Sequence, residues 1–410
     1  MQRTPKGLRL HIGIYGRRNV GKSSLLNALT RQDIAIVSPH KGTTTDPVQK
    51  AMELLPLGPV VFIDTAGVDD EGELGELRIS RSMATMDKVD FALLVTDGEW
   101  GRGEEDVVTA LEERKIPYVV VCHKADLVDY AKKPWLDALK ARKITAIETA
   151  VGRQNTMDQL LQAIIKQAPA SFMESEQIIG DLIPSGGLVL LVVPVDSEAP
   201  KGRLILPQVQ TIRDILDNRA LCMVCKESEL AAALDRLKSP PQLVVTDSQA
   251  FESVSAMVPD EIPLTSFSIL FARFKADLAT LVLGAQAIAK LKQGDKILIA
   301  ESCTHHPGHD DIGRVKIPRW LSTLTQAELE FDAVQGPTMP EDLSQYALII
   351  HCGGCMFNRR MMLARLSAAT SQGVPITNYG LAIAYIHGIF KRALRIFPQT
   401  LAALEAAEAQ

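Results

Sequence analysis

Gly16-Arg17-Arg18-Asn19-Val20-Gly21-Lys22-Ser23 matches G-x-x-x-x-G-K-S in full, and it stands between an alternating apolar segment at 9–15 and a helix-patterned one at 23–31. In that strand–loop–helix setting the spacing is a phosphate-binding loop. The glycines let backbone N–H groups wrap the phosphates, Lys22 reaches the β and γ oxygens, and the Ser23 hydroxyl sits on magnesium. Gly16, Asn19, Val20, Gly21, Lys22, Ser23 and Ser24 make up the expected phosphate-binding set. Downstream, Asp64-Thr65-Ala66-Gly67 follows the apolar run at 60–63. There Asp64 can hold magnesium through water, and Gly67 can present its N–H to a γ-phosphate.

Working outward, apolar runs at 60–64, 91–96 and 117–122 alternate with helix patterns at 23–31 and 104–115, the rhythm of a doubly wound sheet. Residues 168–184 read as a linker. Beyond it, buried-strand patterns at 188–193, 220–225 and 243–246 flank helices at 206–217 and 227–237. A single long helix is expected over 267–292, followed by strands at 296–300, 347–350 and 375–377 and a helix at 361–370. No internal repeat is evident. The division expected is 1–170, 180–265 and 266–410, an α/β chain with mainly parallel sheets.

Composition narrows the function classes. Lys plus Arg (44) against Asp plus Glu (49) gives 44 − 49 = −5, which argues against a broad nucleic-acid-binding face. Apolar runs such as 188–193 fall far short of the roughly 20 residues of a membrane span, and a cytoplasmic protein is expected. The 6 cysteines are too sparse for a disulfide scaffold, so clustered ones point to metal or catalysis.

Three of them cluster. Cys303-Thr304-His305 follows the strand at 296–300, and His351-Cys352-Gly353-Gly354-Cys355 follows the strand at 347–350. Both lie where open α/β sheets place their ligands, past the carboxyl ends of strands. Gly353 and Gly354 let Cys352 and Cys355 turn toward one ion or cluster. An iron–sulfur cluster and a zinc ion closed by His305 or His351 both suit this set. A fourth cluster ligand, if the protein supplies one, is His305, His351 or a side chain of residues 306–311; with only three ligands one iron is open to exchange. Cys222 and Cys225 lie on a strand, where positions i and i+3 face opposite ways, so they are expected to be packing residues, as is Cys122.

The first 165 residues resemble the small GTPase family. The resemblance implies that Thr44, in Gly42-Thr43-Thr44-Thr45-Asp46, completes the magnesium shell, so that Lys22, Thr44 and Gly67 act on the γ-phosphate. It implies guanine recognition by Lys124 and Asp126 in His123-Lys124-Ala125-Asp126, where His123 replaces the family's asparagine, with Thr149-Ala150 behind the base. Val68 follows Gly67 where Ras-like proteins carry the water-orienting glutamine, which predicts slow intrinsic hydrolysis. Asn19 with the Gly-Thr-Thr segment resembles the potassium-activated GTPases of the TrmE group. That likeness implies that Asn19 helps to hold K⁺; shaping the loop is its other reading.

The whole chain resembles the HydF family of FeFe-hydrogenase maturation GTPases. That resemblance implies GTP and GDP with Mg²⁺ in the first domain, a dimerisation module in the middle, and a 4Fe–4S cluster on Cys303, Cys352 and Cys355. It also implies a scaffold that receives a two-iron precursor made by two radical SAM maturases and delivers it to apo FeFe-hydrogenase. A homodimer without nucleic-acid or membrane partners is expected. Rival readings are a potassium-dependent RNA-modification or ribosome-assembly GTPase with a zinc module, and a GTP-gated electron carrier.

Overall fold

The computed structural model describes residues 6–30, 48–54, 57–65, 85–169, 177–195, 202–302 and 311–409. Two compact units divide the chain, residues 1–176 and 177–410. Each has its own hydrophobic core.

In the first unit, β1 (Leu10–Tyr15), β2 (Val48–Leu54), β3 (Gly58–Asp64), β4 (Phe91–Thr96), β5 (Tyr118–Cys122) and β6 (Ala146–Glu148) form one sheet in the order β2-β3-β1-β4-β5-β6. All neighbours are parallel except β2, which runs antiparallel to β3. Every residue of β1 and β4 is buried, because helices cover both faces of the sheet. Strand order reverses at β1, so the loop that follows it opens at the topological switch point. The sequence reading missed β2 and β6. The first carries Gln49, Lys50 and Glu53 on an edge, and the second is 3 residues long with no buried position, so neither shows a buried-strand pattern.

The second unit holds two four-stranded parallel sheets. β7 (Leu188–Val192), β8 (Leu221–Cys225), β9 (Leu243–Thr246) and β10 (Leu264–Ser266) lie in the order β10-β9-β7-β8. β11 (Lys296–Glu301), β12 (Glu330–Gln335), β13 (Leu348–His351) and β14 (Ile376–Asn378) lie in the order β12-β11-β13-β14. Numbered within each half, both sheets have the order 2-1-3-4. The expectation of no internal repeat is therefore corrected at the level of topology. A faint sequence echo accompanies it: Gly202-Arg203 precedes Leu206-Pro207 as Gly313-Arg314 precedes Ile317-Pro318, and each pair opens a helix with proline in its first turn.

The halves share one core that runs from Ile178 to Leu404. Arg392 stitches them by donating to the carbonyls of Ser255 and Val258, at 2.9 and 2.7 Å. Within the β11–β14 half the backbones touch: a Cβ at Gly284 would stand 2.0 Å from Ile376 O, so helix Leu278–Ala285 rests directly on β14.

The long helix expected over 267–292 is broken into Phe267–Lys275, Leu278–Ala285 and a 3₁₀ turn, Gln286–Lys290. Ala276 is extended, and Asp277 accepts the Thr280 N–H at 2.9 Å, capping a new helix. The apolar periodicity continued through the break because both pieces bury the same kind of face. Cys222 and Cys225 are half-buried on the edge strand β8 rather than fully packed, since that strand is paired on one side only. Cys122 is buried as expected, and burial pushes its thiol up to about 12.

Candidate functional site

The phosphate loop leaves β1 under steric control. A Cβ at Gly16 would stand 2.2 Å from Val95 O, and one at Gly21 would meet the His123 ring at 2.5 Å. Both glycines have positive φ, +142 and +100, and Asn19 is left-handed at φ 62. Lys22 is buried and donates to the carbonyls of Gly16 at 2.8 Å and Arg17 at 2.7 Å, so the loop curls around its ammonium. Val20 is buried beneath the loop, while Ser23 and Ser24 stay exposed at the start of helix Lys22–Thr30.

Asp64 ends β3 and accepts the Ser23 hydroxyl on Oδ2 at 2.8 Å. Its other oxygen, Oδ1, is buried without a hydrogen-bond partner among the described residues. Burial holds this carboxyl above its ordinary range, against the opposing pull of Ser23, Lys22 and Lys50. A hydroxyl beside a carboxylate with one spare buried oxygen is a donor set that suits a hydrated magnesium ion. Lys124, at φ 56, donates to Asn19 O and to Asp97 Oδ2, both at 2.9 Å, and thereby ties the base-reading loop to the phosphate loop. Asp126 is exposed one turn away, and Thr149 and Ala150 are fully buried behind it. His123 is buried with Nδ1 2.9 Å from Thr149 Oγ1; burial first, then Lys124, lowers its pKa, and the ring is neutral.

In the second unit, a cavity of about 320 Å³ opens at the carboxyl ends of strands from both sheets. Cys352, Gly353, Gly354 and Cys355 line one wall, and Asp247, Ser248 and Gln249, which follow β9, line another. Cys352 Sγ accepts from Ser302 N at 3.2 Å and also lies 3.2 Å from Ser302 Oγ. Burial pushes the Cys352 thiol up, and Ser302 and the Gly354 N–H pull it down. Burial and the neighbouring Cys352 push Cys355 up.

His351 is fully buried, with both ring nitrogens engaged. Nδ1 donates to Cys352 O at 2.6 Å, and Nε2 accepts from Arg365 Nη1 at 2.6 Å. A neutral ring held this way offers no lone pair to a metal, so it braces the loop from behind; the Ser302 and Gly354 donors are then the ones that stabilise a Cys352 thiolate. Arg365, itself buried, also donates to Gly336 O and stacks 4.6 Å from the Phe357 ring. Sequence reasoning missed Ser302, Lys275 and Arg365. Lys275, one of two cations closing an apolar helix, was the one legible signal. The remaining expected site residues, Thr44, Gly67, Cys303 and His305, lie outside the described residues. Among the described residues no group of three metal-ligating side chains gathers at one point, and no helix is long and apolar enough to cross a membrane.

Three family models match the chain: a 50S ribosome-binding GTPase at 11–124, the hydrogen maturase F dimerization domain at 178–276 and the hydrogen maturase F tetramerization domain at 279–396. The chain belongs to the hydrogen maturase F family. Its dimerization-domain match covers the β7–β10 sheet, and its tetramerization-domain match covers the β11–β14 sheet with both thiols of the C-x-x-C loop. In this hydrogen maturase F chain the GTPase part has other relatives. The tRNA modification GTPase MnmE of Cyanothece sp. is 34% identical over 172 residues, 41% of this chain and 36% of that protein. MnmE of Aquifex aeolicus is 33% identical over 168 residues, 41% and 36% of the two chains. The chain thus spans about a third of the length of these curated relatives. Among solved structures, Aquifex aeolicus Era bound to GDP.AlF4- aligns at 20% identity and TM-score 0.34, covering 53% of this chain and 93% of that one.

Proposed function

We propose that this chain is a GTP-hydrolysing scaffold that holds a 4Fe–4S cluster on Cys303, Cys352 and Cys355 and carries a two-iron precursor to apo FeFe-hydrogenase. The carrying observation is the pair of thiols lining a cavity at the carboxyl ends of two parallel sheets, within the region matched to hydrogen maturase F domains. Three thiolates leave one iron of such a cluster open to an exchangeable ligand. Two radical SAM maturases supply the precursor in this reading. The three sheets divide the work, the first binding nucleotide, the second mediating self-association and the third holding the cluster.

GTP, with Mg²⁺ between Ser23 and Asp64, occupies the phosphate loop, and K⁺ at Asn19 supplies positive charge at the transition state. Hydrolysis releases Thr44 and Gly67 and acts as a timer on partner contacts. Self-association is supported by the dimerization-domain match and by edge strand β8, which exposes Leu221 and Val224. The RNA-modification reading draws on relatives that match only the GTPase part. Anaerobic purification and reconstitution, with iron, sulfide and zinc analysis, tests the proposal. Iron and sulfide that are lost in Cys352→Ser and Cys355→Ser support it, whereas zinc without iron sinks it.

A further inference from the structure

Lys275 is the last residue of helix Phe267–Lys275 and is 2% exposed. Its Nζ lies 3.0 Å from Gly354 O, 3.2 Å from Cys355 O and 2.9 Å from Phe357 O, all carbonyls of the C-x-x-C loop. A neutral amine has two N–H groups and an ammonium three, so three converging acceptors select the charged form. No carboxylate among the described residues pairs with it; burial disfavours its charge, and the side chains that favour it are Cys355 and Cys352 of the same loop. A cation is buried this deeply only where something compensates it. The helix breaks at Ala276, directly after Lys275, which lets this side chain turn into the loop instead of continuing along a helix face.

We propose that Lys275 is the positioning residue of the thiolate loop. It holds 354–357 in the turn that sends Cys352 and Cys355 into the cavity, and its charge compensates an anionic metal–sulfur group there. The second half of this statement rests on the iron–sulfur reading above. A purely structural plug would fill the same space with an aliphatic chain and leave the electrostatics of the site unchanged.

The test uses the full chain. In the metal-free protein, Lys275→Met is expected to speed amide exchange at 352–358, and unchanged exchange overturns the positioning role. After anaerobic reconstitution with ferrous iron and sulfide, the variant is expected to retain iron against a chelator about tenfold less well, the equivalent of one charge-assisted hydrogen bond. Its cluster is expected at a more negative midpoint potential, because a positive charge that favours the reduced form is gone. A wild-type potential in the variant overturns the charge role. Should Lys275→Met fail to fold, Lys275→Gln, which is uncharged and whose two N–H groups leave at least one of the three carbonyls without a donor, is read in the same two ways. A wild-type chain that takes up no iron defeats the iron–sulfur reading and the charge role together, while the amide-exchange comparison still decides positioning.

Discussion

His123 Nδ1 lies 2.9 Å from Thr149 Oγ1, while the opposite edge of the same ring lies against Gly21 of the phosphate loop. One side chain therefore connects the element that binds phosphate with the element behind the base. It does so as a neutral imidazole, since burial and Lys124 both disfavour its charged form.

A neutral buried histidine makes the first unit sensitive to acid. The His123 pKa is lowered from its ordinary 6.5, so its contribution to stability is present above that value and is lost as pH falls through the depressed one. Thermal unfolding followed from pH 8 to 5 is expected to show this loss, and His123→Asn to remove it while GTP binding persists. An identical pH profile in the variant would show that another group titrates.

Gly21→Ala combines a left-handed backbone, φ +100, with a Cβ placed 2.5 Å from His123 Cδ2. The loop cannot relax without moving a buried ring. Calorimetric titration is expected to find no GTP binding, and near-native affinity would contradict the geometry.

Asp64 must be ionised to hold magnesium, yet burial raises its pKa. The raised pKa favours the protonated, metal-free form as pH falls, so magnesium-dependent GTP affinity strengthens with rising pH, and at a higher pH than an ordinary carboxylate would require. Asp64→Asn is expected to lower hydrolysis on the order of a hundredfold, which steady-state phosphate release measures.

Potassium dependence isolates Asn19, which is left-handed at φ 62 and exposed. GTP turnover is expected to be faster in KCl than in NaCl, with the difference lost in Asn19→Ala. Equal wild-type rates in the two salts would remove K⁺ from the mechanism.

Arg365→Met leaves His351 Nε2 and Gly336 O without their buried donor. The cost is about 2–4 kcal/mol, read as a drop of roughly 5–10 °C in the Tm of the second unit. A shift under a degree would show that solvent reaches these acceptors.

The phosphate loop was legible because its chemistry is written in consecutive residues, and the two thiols of the C-x-x-C loop because strand and loop adjoin in the chain. The buried strands were legible for a related reason: sheets covered on both faces write apolar runs such as β4 and β7. The edge strands β2 and β6 were not, since half-exposed segments carry mixed residues. The helix break at Ala276 escaped notice because periodicity registers which face is buried and not where the axis turns.

Local sequence by itself determined the nucleotide chemistry, the βα rhythm and the placement of the thiols past strand ends. Only the tertiary structure decided that two sheets of identical order share a core, that His351 is bound to Arg365 instead of facing the cavity, and that Lys275 lies beneath the thiolate loop. Lys275 and Gly354 are 79 residues apart in the chain. A contact of that span is set by how helices and sheets pack, and no short-range pattern encodes it.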